Sequence, residues 1–395
     1  MKHIYLDNSA TTPIDPSVLK AMSPFLNKDF GNPHSIHSFG QTAQAAVDEA
    51  REKIARHFNC SSQEIIFTSG ATESNNLAIA GVVNALLKNK KPIHIITTKI
   101  EHPSVLEVFR ALEKWEDVEV SYLDVDASGV IKIEQLKKSI KENTVLVSIM
   151  YANNEVGAIQ PIKEIGGLIN NERLRRRSIR ASQPAPIYFH VDAVQAMNYL
   201  TADVQLLGAD LISISGHKIY GPKGVGSLFV KRGVRLEPLV LGGHQEYGLR
   251  SGTLNVPGIV GLGKAVEMID VKTNAAHVIK IKNKLLAGIK KISDIRLNGA
   301  GDMQLPNIVN VSFKNAEGES VLMMLDLAGI AISTGSACAA GSLEPSHVLT
   351  AMGVAPEWSH GSIRISIGKF NTETDATAFV KAIMPIVEKL RKMAP

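Results

Sequence analysis

The chain reads as an α/β protein with a large unit on a mostly parallel sheet flanked by helices, plus a smaller α+β unit. Two observations predict this. Over the first 230 residues, strand-length apolar runs alternate with helical periodicity, as crossover helices between parallel strands require. Beyond about residue 256 the alternation stops, and helix-like segments surround two runs that alternate like half-exposed strands. A length of 395 residues agrees, at roughly two to three domains of about 150 residues.

In chain order, IIF (65–67) leads through a glycine turn into the helix-like SNNLAIAGVVNALL. IHIITT (93–98) precedes PSVLEVFRALEKW, and VEVSYLDV, IEQLKKSI and TVLVSIMYA follow. IYFHVDAV (187–194), LISIS (211–215) and VGSLFV (225–230) are three more strand-like runs. IVGLGKAVEMI opens the second part and TDATAFVKAIMPIVEKL closes it. Between them lie NIVNVSF (307–313) and SIRISI (362–367), the two alternating runs. The stretch 173–186, with arginines and Pro184 and Pro186, reads as a surface insertion whose arginines could dock an acidic partner, touch nucleic acid or simply be solvated.

Composition excludes several classes. Hydrophobic residues make 45% and charged residues 21%, enough for a core and too apolar for disorder. Mean hydropathy is +0.05 and no apolar run reaches the roughly 18 residues of a membrane span. The opening MKHIYLDNSATTPID lacks the apolar core of a secretion signal. Two cysteines, Cys60 and Cys338, make no disulfide framework, and a reducing, cytoplasmic setting is expected. Of the net charge of +5, segment 171–187 carries four, with five arginines and one glutamate. The remainder is near neutral, so a spread nucleic-acid-binding surface is not expected.

Ligands of parallel sheets bind outside the carboxyl ends of the strands, so residues just after each run carry the chemistry. In SISGHKIYGPKGVG (213–226), Lys218 follows a strand among glycines that allow close backbone approach. A lysine so placed is either a surface residue of a Gly-rich loop or reaches into a cleft, where its amine can attack a carbonyl. In FHVDAVQA (189–196), Asp192 ends an apolar strand and needs a cationic partner, either a protonated pyridine nitrogen or a structural salt bridge. Gln195 lies three residues on. FTSGATESNN (67–76) runs from strand through Gly turn to helix, with Ala71 and Thr72 at the helix start, an anion site or simple capping. Ser215 and His217 could add donors to the same anion. His102 in KIEHPSV (99–105) follows a strand and precedes a helix-opening proline, placed to stack on a flat ring or move protons, or simply a satisfied loop histidine. Together these features describe a pyridoxal-phosphate site.

The same motifs, with YLDNSATTP, GNPHSIH, ANNEVGAIQPI, RSGTLNVP, STGSACAAGSLEPSHVL and SIRISIG, resemble the NifS/IscS-like cysteine desulfurases over essentially the whole chain. That group sits within the class-V, fold-type-I aminotransferases. The resemblance implies a fold-type-I transferase with a seven-stranded sheet, a large domain at 15–255, and a small domain of 1–14 and 256–395. It implies that Lys218 binds pyridoxal 5'-phosphate covalently, that His102 stacks on its ring, and that Asp192 pairs with its ring nitrogen. Gln195 and Asn154 would lie near the ring oxygen and substrate. Ala71, Thr72, Ser215 and His217 would bind the phosphate, Thr253 would reach the phosphate of a second subunit in a homodimer, and Arg364 would clamp the substrate carboxylate.

Cys338 would be the nucleophile, in a small-residue loop expected to be mobile. As thiolate it takes sulfur from L-cysteine, leaving alanine and a persulfide. That sulfur passes to an iron–sulfur scaffold or other acceptor protein, and Cys338 could transiently ligate an iron–sulfur cluster. No resident metal and no membrane partner are implied. Cys60 matches no motif and reads as structural or incidental. A selenocysteine lyase, a small-amino-acid aminotransferase and a non-catalytic relative are the rival readings.

Overall fold

The computed structural model describes residues 3–88, 91–178, 185–299, 301–334 and 345–393. Its strands are β1 (Ile4–Tyr5), β2 (Ile65–Thr68), β3 (Ile93–Thr98), β4 (Val118–Leu123), β5 (Thr144–Met150), β6 (Tyr188–Asp192) and β7 (Leu211–Ser215). They continue with β8 (Gly226–Val230), β9 (Ile295–Asn298), β10 (Ile308–Phe313), β11 (Ile330–Ala331), β12 (Ser333–Thr334) and β13 (Ser362–Ser366). The expected mostly parallel sheet is present, with seven strands in the order β2-β8-β7-β6-β5-β3-β4. From β7 to β4 every pairing is parallel; β8 runs antiparallel to both β7 and β2. A second sheet has the order β12-β13-β10-β9, and β1 pairs with β11.

The central strands read as unbroken apolar runs because both faces are covered. β3, β5 and β7 are buried along their full lengths. The Ala71–Leu87 and Pro103–Leu112 helices supply Leu77, Val82, Val105 and Phe109 to one apolar cluster. Ile162, Ile165 and Ile169 of the Ile162–Ser178 helix join another. A 21-residue helix, Ser38–Phe58, is missing from the sequence reading because small residues (Gly40, Ala43, Ala50) dilute its buried stripe. It packs on the Val256–Glu267 helix at close range: a Cβ on Gly263 would lie 2.7 Å from the Ala50 Cα.

Two expectations are corrected. β10 and β13 alternate in sequence but are buried at every position. Their polar residues face inward onto partners: Asn298 donates to Asn310 and Ser312, and Arg364 pairs with Asp7. Segment 173–186 is also not simply a solvated insertion. Arg173, Arg175, Arg176 and Arg177 lie on the Ile162–Ser178 helix, which outlasts its apolar face. Arg176 is buried and donates to the carbonyls of Thr144, Ala185 and Lys141. Arg173 pairs with Asp210 and donates to the Ile187 carbonyl. These two clasp the helix to the sheet, while Arg175 pairs at the surface with Glu142 and Glu172. Arg180 lies outside the described residues.

The outer edge of β2 is closed by an ion pair. Arg51 is buried and donates to the Ile65 carbonyl and to both carboxylate oxygens of Glu246. Glu246 Oε2 in turn accepts from the Phe67 amide at 2.7 Å. The loop that carries Glu246 holds it and Tyr247 at φ of 47° and 58°, a left-handed conformation costly for side chains other than glycine.

One glycine contact sets the mouth of the sheet. A Cβ on Gly226 would meet the Ile214 oxygen at 2.5 Å and the Gly70 Cα at 2.8 Å. Gly226→Ala should cost about 1–3 kcal/mol in urea unfolding, because strand and turn must separate. Gly167→Ala has open space around its Cβ and should be neutral or stabilising by up to about 1 kcal/mol.

Candidate active site

A cavity of about 610 Å³ opens at the carboxyl ends of the parallel strands. Each side chain reaches it from a strand end or the turn after it. β7 ends at Ser215, and one tight turn, Gly216–Lys218, carries His217 and Lys218. The turn is compact because a Cβ on Gly216 would lie 2.8 Å from the Pro222 oxygen. Lys218 Nζ donates to the carbonyls of Ser9 and Ala10 at 2.6 and 2.7 Å. Asp192 is the last residue of β6. Its Oδ1 accepts from the Val194 amide at 3.0 Å and its Oδ2 from Asn75 Nδ2 at 2.8 Å.

His102 follows β3 and caps the Pro103–Leu112 helix, its Nδ1 accepting from the Ser104 amide. Burial pushes its imidazole below the usual range; the Lys218 and His347 charges act the same way and Asp192 opposes them. Burial, with Lys218 and Lys223, pushes His217 down to about 4. The 17-residue helix at Ala71 follows Gly70 without a side-chain cap, so its first N–H groups face the cavity mouth with Thr72. Glu73 is drawn aside by Arg250 at 2.8 Å and by the Ser69 amide.

Arg364, on β13, reaches the cavity from the other sheet and is 1% exposed. Its Nη2 pairs with Asp7 at 2.7 Å, its Nη1 donates to the Asn154 carbonyl at 3.0 Å, and its Nε has no hydrogen-bond partner among the described residues. Gln195 also lines the cavity and donates to the Ser9 carbonyl.

The cavity therefore holds an anion cradle at one end and an arginine with an unused donor among its lining. An amine, a carboxylate and an imidazole complete the set. That donor set fits a flat, anionic, carbonyl-bearing cofactor together with a carboxylate substrate. The structure gathers Ala71, Thr72, His102, Asn154, Asp192, Gln195, Ser215, His217, Lys218 and Arg364 around one cavity. Thr253 is exposed and does not line it. Cys338 lies outside the described residues.

The profile of the class-V aminotransferases matches residues 4–379. This chain belongs to the class-V aminotransferase family. It is 46% identical to a protein named cysteine desulfurase IscS from Dictyoglomus turgidum, over all of this chain and 97% of that relative. A solved NifS-like protein superposes with a TM-score of 0.89 at 39% identity, covering 98% of this chain and all of the other. A second structure, SspA in complex with cysteine, superposes with a TM-score of 0.80 at 38% identity, covering 93% and 100%.

Several residues around this cavity are not evident from sequence. Asp7 and the Ser9 and Ala10 carbonyls come from the far end of the chain. Asn75 lies inside the FTSGATESNN motif, with nothing local to mark its role. Two buried carboxylates lie behind the cavity. Glu101 accepts from the Met150 amide and from Thr98, and Glu155 from Ser346. Among the described residues no three His, Cys, Asp or Glu side chains are grouped to hold a metal ion.

Burial pushes Glu101 up to about 8 and Glu155 up to about 7, from an ordinary 4.5. The folded chain thus keeps protons that the unfolded chain loses above 4.5. Burial pushes His94 down to about 4 and His190 to about 3 from 6.5, so with His217 they oppose this effect below 6.5. Lys282, pushed by burial down to about 8 from 10.5, also opposes them at the upper end. Between pH 7 and 8 each buried glutamate still lowers stability as pH rises, because the native state holds its proton. Relative to the parent, cofactor-free Glu101→Gln should hold its melting temperature better from pH 7 to 8; an unchanged difference would mean Glu101 is ionised at neutral pH.

Proposed function

We propose that this chain is a pyridoxal-phosphate-dependent cysteine desulfurase that converts L-cysteine to L-alanine and holds the sulfur as a persulfide on Cys338. The observation that carries the reading is a cavity combining Lys218, Asp192, an anion cradle and the buried Arg364, in a chain 46% identical end to end to a cysteine desulfurase. When bound, pyridoxal phosphate supplies the electron sink that makes the substrate Cα–H acidic.

The remaining work falls to the protein. The Ala71 helix start with Thr72, Ser215 and His217 would take the phosphate, where N–H groups and dipole favour an anion. Asp192 would hold a proton at the ring nitrogen, and His102 would lie against the ring. Lys218 would hold the cofactor aldehyde and later take the Cα proton. Arg364 has donors left beyond Asp7 and the Asn154 carbonyl, and a guanidinium matches a carboxylate. Asn154 and Gln195 would face the ring oxygen and substrate.

The Cys338 thiolate attacks the substrate sulfur. An S–S bond forms, the Cβ–S bond breaks with its electron pair left on carbon, and that carbon takes a proton to become the methyl of alanine. The persulfide sulfur then goes to an iron–sulfur scaffold or another acceptor protein. A reducing compartment such as the cytoplasm suits a thiol that must cycle.

The division into a large unit at 15–255 and a small unit of 1–14 and 256–395 is part of this reading. So is a homodimer with Thr253 at the partner's phosphate. Its support is an exposed apolar surface around Leu239, Val240, Leu241 and Tyr247, on the loops leading to Thr253. Gel filtration should give a mass near twice 42.6 kDa, and a fully active monomer would remove the Thr253 role.

The decisive experiment adds L-cysteine to the cofactor-loaded protein and measures alanine and intact mass. One alanine and one added sulfur are expected, both lost in Cys338→Ser. Lys218→Ala should lose the visible absorption of bound cofactor. Alanine that persists in Cys338→Ser would move sulfur release to another group.

A further inference from the structure

At the cavity wall four side chains make one continuous hydrogen-bonded chain. Asn75 lies in the second turn of the Ala71–Leu87 helix and is fully buried. Its Nδ2 lies 2.8 Å from Asp192 Oδ2 and 2.8 Å from Ser104 Oγ. Ser104 Oγ is 2.9 Å from His102 Nδ1, and the Ser104 amide donates to that nitrogen at 3.1 Å. The helix after β2, the turn after β3 and the end of β6 are thereby joined.

Chemistry fixes the direction of each bond. An ionised carboxylate only accepts, so Asn75 must turn its nitrogen, not its oxygen, toward Asp192. The same nitrogen then donates to Ser104 Oγ. Ser104 accepts there, so its own proton points on to His102 Nδ1. That nitrogen is thus met by two donors and carries no proton, which puts the proton of the neutral ring on Nε2. The Asn75 Oδ1 is buried with no hydrogen-bond partner among the described residues. An amide kept for packing alone would have both ends satisfied or give way to an apolar residue. Here one end goes unpaired while both N–H groups are placed.

We propose that Asn75 is a positioning residue that, through Ser104, makes Asp192 and His102 one unit, fixing the carboxylate's orientation and the imidazole's tautomer. The tautomer is a property of the chain by itself; its effect on turnover rests on the desulfurase reading above. Asn75 does not line the cavity, so it acts on bound molecules only through Asp192, Ser104 and His102, which do.

The test compares the parent with Asn75→Leu, which keeps volume and removes both donors, with Ser104→Ala, which keeps the helix-capping amide, and with the double variant. Histidine ¹⁵N spectra of the cofactor-free full chain, with His102 assigned by its loss in His102→Gln, are expected to show the Nε2–H tautomer. Both single variants should shift the Nδ1 signal, and the double variant no more than the larger single one. In the loaded enzyme, kcat should fall about tenfold while KM for L-cysteine stays within about threefold. A parent ring protonated on Nδ1, or an Nδ1 signal unmoved in both variants at unchanged melting temperature, overturns the proposal. The spectra need no turnover, so they decide the relay even if no alanine is formed.

Discussion

Residues 7–12 are the strap on which the site depends. Lys218 and Arg364 are cations facing one cavity from two different sheets, and both are held by this short segment. The Ser9 and Ala10 carbonyls take Lys218, and the Asp7 carboxylate takes Arg364. The segment is itself stitched at both ends. Thr12 bonds the His217 carbonyl and the Tyr220 amide, while Asn8 and Ser9 bond Ser366 on β13. Partly or wholly buried donors need close acceptors, and here backbone carbonyls serve Lys218 while a carboxylate serves Arg364. The seven-stranded and four-stranded sheets are thereby fixed relative to one another at the cavity.

Several buried polar groups around the site, unlike Asn75 Oδ1 and Arg364 Nε, sit in satisfied sets. His190 is wholly buried, yet its two ring nitrogens meet Ser148 and Ser213. Glu101 receives the Met150 amide on both oxygens and Thr98 on one. His347 reaches the Glu101 carbonyl, and Ser346 reaches Glu155, so the segment from 345 onward is tied to the floor of the cavity. Low dielectric strengthens such bonds and raises the cost of losing one. This gives the cavity walls that keep their shape.

Much of the site was legible because parallel sheets concentrate chemistry at strand ends. Lys218, Asp192 and His102 each follow an apolar run, and residue type alone limits what they can do there. What sequence could not show is long-range pairing. Nothing local connects Asp7 with Arg364, or Asn75 with Asp192. The same blindness misread the arginines of 173–177. Their type says surface, whereas Arg176 finds three carbonyls in a pocket formed by distant segments. It also misread β10 and β13, where alternation with Asn, Ser and Arg mimics an exposed face although the polar side has buried partners.

The Arg51–Glu246 pair on β2 bears on how the protein behaves when crowded. β2 ends the seven-stranded sheet, and an uncovered edge offers a template for another chain to extend by hydrogen bonding. Here the Ile65 carbonyl and Phe67 amide on that edge are occupied by side chains rather than by backbone. The guanidinium and carboxylate act as a plug against strand addition, one that a neighbouring protein could displace only by burying an unpaired charge. Protection of this sheet edge is thus built into the same loop that leaves Tyr247 exposed.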